Sequence, residues 1–164
     1  MGESLTTPDR VSIPRDVAKD DLEFLRKVRL FSELDENALK AIANAAVEQR
    51  WEAGQEIVRE GESGVGAFII RSGKVEIVRE HGVKQEKVRD LGPGHFFGEM
   101  ALLDEFPRSA TVRAIEPTTC LQITRWHFRG ILESHPEIAL KLLPVLTKRI
   151  RSAEAHAHEA AATH

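Results

Sequence analysis

Residues 97–112 read Phe-Gly-Glu-Met-Ala-Leu-Leu-Asp-Glu-Phe-Pro-Arg-Ser-Ala-Thr-Val, and this stretch decides how the rest of the chain is read. Gly98 and Glu99 open a short helix-competent run, Met100 to Leu103. Arg108 follows nine residues after Glu99, and an apolar strand, Ala110 to Ile115, comes next. A helix start presents unpaired backbone N–H groups and the positive end of a dipole, a setting that holds a phosphate. Gly98 has no side chain to keep an anion off the backbone. Arg108 can neutralise the anion through a forked contact. Glu99 would repel a bare phosphate, but it fits a ligand that carries a hydroxyl donor beside its phosphate, as a ribose does.

Around this stretch the chain is strand-like. Nine of the 11 glycines fall between Gly54 and Gly98, and short apolar or alternating runs lie between them. These are Ile57-Val58, Phe68-Ile69-Ile70, Val75 to Val78 and Lys87 to Leu91. Short strands broken by glycine turns predict a sandwich or barrel. Strands resume at Ala110 to Ile115 and Cys120 to Thr124, with Pro117 in the turn.

Both ends are helical. Leu22, Leu25 and Val28 have helical spacing, with Asp20 and Asp21 suited to a helix start. Ser32 to Asp35 offers capping residues before an amphipathic helix with Leu39, Ile42, Ala46 and Val47 on one face. After Arg125, Phe128, Ile131 and Leu132 form a short apolar face that Ser134-His135-Pro136 breaks. Pro136 suits the first turn of a last helix. Ala139, Leu143, Leu146, Ile150, Ala153, Ala157 and Ala160 then form a heptad-like stripe. Pro144 lies within that stripe and is expected to kink the helix or divide it.

At 164 residues the chain suits one domain, and its 41% hydrophobic and 30% charged content suits a globular one. A net charge of −3 gives no general attraction to nucleic acid or anionic membranes. No run approaches the ~20 apolar residues of a membrane span. Met1 to Arg15 lacks a signal-peptide core. The single cysteine, Cys120, suits a reducing compartment and reads as a core thiol. A cytoplasmic location is the expectation.

The cassette at 97–112 resembles the phosphate-binding cassette of the cyclic-nucleotide-binding domain family. The resemblance extends through Ala53 to Glu62 and Phe68 to Val75, and covers roughly residues 28 to 152. That family includes bacterial catabolite activators, kinase regulatory subunits and gated channels. The resemblance implies an α+β, mainly β fold: an eight-stranded antiparallel β-roll with N-terminal helices, a short cassette helix and C-terminal helices. The expected division is a flexible segment 1–17, a nucleotide-binding domain 18–152 and a helix end or tail 153–164. Within the domain the roll is expected over about 48–124 and the C-terminal helices over about 125–152.

The resemblance also assigns roles. Gly98, Met100 and Ala101 lend backbone N–H groups to the phosphate, with Phe97 beside them. Arg108 pairs with the phosphate, and Ser109 and Ala110 touch it. Glu99 accepts from the ribose 2′-hydroxyl, and Ile70 and Val88 line the base end. For the base, a threonine often follows the cassette arginine in members that prefer cGMP. Here Ser109 stands there, as in the bacterial activators, and the expectation is cAMP over cGMP. The implied protein is a non-catalytic receptor whose ligand binding moves its C-terminal helices, with no cofactor and no metal.

The stripe on the last helix has two readings: packing back on the roll, or pairing with a second chain into a homodimer. Leu146, Arg149 or Ile150 is a candidate to cap the base. Lys148, Arg149 and Arg151 otherwise make an ordinary basic edge. Trp51 and Trp126 read as core or strand-edge aromatics, and His156 and His158 point apart on a helix rather than converge on a metal. The chain ends before a helix-turn-helix, so direct DNA binding is not expected, and the effector protein stays open. Two rivals stand beside the receptor: an interaction module with a vestigial nucleotide site, and a small metal-dependent β-barrel enzyme.

Overall fold

The computed structural model describes residues 9–11 and 19–162. Among these residues nine strands form two antiparallel sheets. In chain order they are β1 (Asp9–Val11), β2 (Val47–Trp51), β3 (Glu56–Val58), β4 (Gly66–Ser72), β5 (Val75–His81), β6 (Lys84–Leu91), β7 (Phe96–Phe97), β8 (Thr111–Ala114) and β9 (Thr118–Thr124). The strand orders are β1-β2-β9-β4-β7 and β3-β8-β5-β6. Strands β2 to β9 are the eight of the expected roll. β1 adds an edge partner to β2, with Arg10 opposite Gln49, inside the segment read as a flexible lead-in. The rest of that segment, and the end of the tail at 163–164, lies outside the described residues.

Four α-helices flank the roll: α1 (Lys19–Arg26), α2 (Glu36–Ala45), α3 (Arg125–Ser134) and α4 (Pro136–Ala162). Asp35 caps α2 by accepting from the Ala38 N–H at 2.9 Å. Thr124 caps α3 through the His127 N–H. No helix among the described residues is long and apolar enough to cross a membrane.

The strands' period of two builds two cores. On β4, Phe68 and Ile70 face into the roll while Ala67 and Ile69 face the helices. On β9, Cys120 faces in while Leu121 and Ile123 face out. The inner core adds Trp51, Val75, Leu91, Phe97, Val112 and Ala114 between the two sheets. The outer core joins β4 and β9 to all four helices through Leu25, Leu39, Ile42, Phe128, Ile138 and Leu142. Phe31 and Phe128 meet there with ring centroids 5.8 Å apart. Burying side chains of this size contributes ~1.5–3 kcal/mol each.

Three expectations change on this frame. α4 runs unbroken through Pro144, so the proline does not divide it. Its buried residues are Ile138 and Leu142, whereas Leu143 and Ile150 of the anticipated stripe are exposed. Packing on the roll selected the face one residue away from the heptad pattern, because Phe128 and the turn before α2 supply the apolar surface it covers. Trp51 is a core aromatic, but Trp126 is 57% exposed on α3 and belongs to no core.

Candidate functional site

Gly98 ends β7 and caps a 3₁₀ turn, Glu99–Leu102. Its φ of +76° is a conformation that L side chains rarely adopt. The space beside it is also taken: a Cβ there would sit 2.2 Å from Arg108 Nη1. The residue is glycine for both reasons. The Ala101 N–H donates to the Gly98 carbonyl at 3.0 Å, closing the turn. That bond uses one of the N–H groups expected to serve a phosphate. The N–H groups of Glu99 and Met100 precede the first bond of the turn and have no partner within it.

Arg108 reaches back across this turn from the far end of the cassette. Its Nη2 donates to the Gly66 carbonyl at 2.7 Å and its Nη1 to the Gly98 carbonyl at 3.4 Å. Its guanidinium carbon lies 6.0 Å from the Phe68 ring centre. Among the described residues no carboxylate pairs with it. Burial, and then the charge of nearby Arg125, push its pKa down. A half-buried cation that has carbonyl partners and no counter-ion is prepared for an anion.

Glu99 is buried at the centre of three elements. Its Oε1 accepts from Arg149 Nη2 of α4 at 2.8 Å. Its Oε2 accepts from the Leu30 N–H, in the 3₁₀ turn before α2, at 3.4 Å. Arg149 Nη1 also lies 3.1 Å from Met100 Sδ. Arg149 therefore turns inward from what reads in sequence as a solvated basic edge.

Gly98, Glu99, Met100 and Arg108 line a cavity of about 480 Å³. Nine of the ten expected site residues border it: Phe97, Gly98, Glu99, Met100, Ala101, Arg108, Ser109, Ala110 and Val88. The tenth, Ile70, does not. It is fully buried in the inner core beside Phe68, where the alternation of β4 directs it. Val58 and Ile77 border the cavity instead, and Arg79 and Arg89 stand at its β5–β6 side.

Sequence reading missed Arg125, the first residue of α3. Its Nη1 donates to the carbonyls of Gly64 at 2.8 Å, Ala101 at 3.2 Å and Asp104 at 3.0 Å, and its Nη2 pairs with Glu105. One side chain thus ties the end of the cassette turn to the β4 entry loop and to α3. The three acceptors lie 21 to 61 residues away in sequence, so no local pattern points to them.

The family model described as cyclic nucleotide-binding domain matches residues 48–135. A cGMP-dependent protein kinase of Eimeria tenella is 43% identical over 106 residues, which are 65% of this chain and 10% of that kinase. A cAMP-dependent protein kinase regulatory subunit of Yarrowia lipolytica is 39% identical over 103 residues, 63% of this chain and 26% of that subunit. The match thus spans only about a tenth to a quarter of the length of these relatives. Among solved structures, the N-terminal domain of a transcriptional regulator from Streptomyces coelicolor superposes with a TM-score of 0.76 at 26% identity, over 82% of this chain and 94% of that one. With the family model covering more than half the chain and a β-roll of the same fold, the chain belongs to the cyclic nucleotide-binding domain family.

Proposed function

We propose that the chain is a non-catalytic receptor for a purine 3′,5′-cyclic nucleotide, acting in the cytoplasm and transmitting binding to its C-terminal helix. Arg108 carries this reading: a desolvated guanidinium aimed at the opening of a 3₁₀ turn, with no carboxylate partner among the described residues. The cyclic phosphate seats between Arg108 and the first N–H groups of the turn. The ribose 2′-hydroxyl donates to Glu99. For the base, Ser109 and the cAMP-named relative support cAMP, while the cGMP-named kinase supports the other purine.

Output runs through the same carboxylate. Glu99 is the acceptor for the ribose and also the anchor of Arg149, so ligand and α4 draw on one group. A ligand moves a helix only through different affinity for its two arrangements. Sharing or displacing the Arg149 contact supplies that difference. Hydrogen exchange along α4, with and without saturating nucleotide, tests it. A ligand-dependent change in protection that is lost in Arg149→Ala is expected. Unchanged exchange in the wild type would remove the switching role and leave binding intact.

The outward face of α4 supports a further element of this reading. Leu140, Leu143 and Ile150 are 68%, 57% and 58% exposed, a surface suited to pairing with a second copy. Light scattering decides it: a monomer both with and without nucleotide ends the homodimer.

A further inference from the structure

We propose that Ser152 of α4 is a phosphorylation site for a serine kinase that selects arginine, and that the Arg149–Glu99 contact decides when the site is open. The basic edge Lys148-Arg149-Ile150-Arg151 leads into Ser152 and places arginines three residues and one residue before its hydroxyl. Kinases choose substrates by charge pattern, and an acidic cleft takes an arginine through its fork. An arginine stands three residues before a serine or threonine at three places in the chain: Arg29 before Ser32, Arg108 before Thr111 and Arg149 before Ser152. Burial separates them.

Thr111 is buried in β8, and its Oγ1 accepts from the Glu60 N–H at 2.9 Å. Ser32 follows Leu30 and Phe31, both buried in the outer core, so its flank enters no cleft without unpacking that core. Around Ser152 nothing of this kind holds the chain: from Arg151 to Glu159 every residue of α4 is exposed. A helix end with no packed face opens locally at small cost. Among the described residues neither Lys148 nor Arg151 has an ion pair, so both stand ready for an acidic cleft.

Arg149 is already engaged. Its Nη2 donates to the buried Glu99 carboxylate at 2.8 Å, and its Nη1 lies 3.1 Å from Met100 Sδ. A kinase that needs this arginine meets only the fraction of molecules in which α4 has let go of the cassette turn. In those molecules Ser152 Oγ attacks the terminal phosphorus of a nucleoside triphosphate held by the kinase. The bond from that phosphorus to the bridging oxygen breaks, the hydroxyl proton passes to the kinase's carboxylate base, and the nucleoside diphosphate leaves. The phosphoserine is a covalent record of an undocked α4. The site and its gate stand apart from the receptor reading; only the expectation that a nucleotide opens the gate rests on it.

The test incubates the full, nucleotide-free chain with magnesium, ATP and an arginine-directed serine kinase that does not itself respond to cyclic nucleotides. Mass spectrometry locates the phosphate and follows its rate, and thermal melting checks that each variant is folded. Phosphate is expected on Ser152 and is expected to be absent from Ser152→Ala. Glu99→Gln replaces the charged acceptor with a neutral amide and is expected to raise the rate at Ser152 at least about tenfold. Glu99→Asp, one methylene shorter, gives the same sign where the glutamine variant is unstable. Adding Arg149→Lys to Glu99→Gln keeps the charge but loses the fork, and is expected to slow the reaction at least about fivefold. No phosphate on Ser152 even with the gate open, or phosphate on Ser32 or Thr111 instead, overturns the site. Equal rates in the wild type and Glu99→Gln overturn the gate. A wild-type rate raised by saturating cAMP or cGMP supports the receptor reading too. A fast Glu99→Gln beside a wild type indifferent to both nucleotides supports the site and gate and removes the nucleotide switch alone.

Discussion

Replacing Arg108 with alanine should separate binding from folding. In the free protein its guanidinium has two carbonyl acceptors, at 2.7 and 3.4 Å, and no carboxylate among the described residues. Each hydrogen bond to a charged group contributes ~1.5–3 kcal/mol. Against this stands the desolvation of a half-buried cation, made worse by Arg125 and of similar size. The terms oppose each other, so the net change in unfolding free energy is expected within about 1 kcal/mol. That corresponds to a Tm shift under about 4 °C. Binding has no such offset. Truncating one partner of a desolvated charge pair costs ~2–5 kcal/mol, or ~30-fold to several-thousand-fold in affinity. Arg108→Lys keeps the charge, loses the fork, and should fall between. Calorimetry gives the affinity and thermal melting of the ligand-free protein gives the stability. A loss under about threefold in a folded variant, or a fall in Tm that accounts for the loss, would refute the reasoning.

Other outcomes follow from the same geometry. Gly98→Ala meets both a strained φ and Arg108 Nη1, so it should destabilise by ~1–2 kcal/mol. Because the displaced atom is the end of a flexible side chain, the larger effect should be on nucleotide affinity, about tenfold or more. Gly66→Ala should instead damage the fold: its Cβ would lie 1.9 Å from the backbone oxygen of Ile123, and a loss of about 3 kcal/mol is expected by urea unfolding. An unchanged midpoint would contradict the β4–β9 packing. Burial pushes the Cys120 thiol up to about 12. Its neutral form is favoured by folding, so this contribution is fully present below the unfolded value near ~8.5 and is lost as pH rises through about 12. Native protein at pH 8 should resist a thiol reagent until denatured. Rapid native labelling would show that Cys120 is not buried as described.

The roll and the phosphate end of the site were legible because their signals are local. Gly98, Glu99, Arg108 and Ser109 lie within a dozen residues, and one turn and one strand suffice to bring them together. Alternating runs such as Phe68-Ile69-Ile70 announced strands, but not which alternate faced the cavity beside the cassette. Ile70 went to the inner core because closing the roll placed Trp51, Phe97 and Cys120 on its side of β4. The helices were legible as helices through their caps and apolar spacing. The buried face of α4 was not, because Ala139-Leu143 and Ile138-Leu142 have equal periodicity and only the surface beneath chose between them.

Sequence alone therefore determined the fold class and pointed to the cassette and to Arg108, the anion partner we propose, because these depend on residues close along the chain. Tertiary structure decided what surrounds the cassette. It turned Arg149 onto Glu99 across 50 residues, anchored Arg125 on three distant carbonyls, and left Val88 as an extra residue of β6 at the edge of the cavity. The physical reason is register and closure. A pleat fixes only that neighbours alternate, whereas the pairing of strands and the packing of helices fix which alternate meets the cavity.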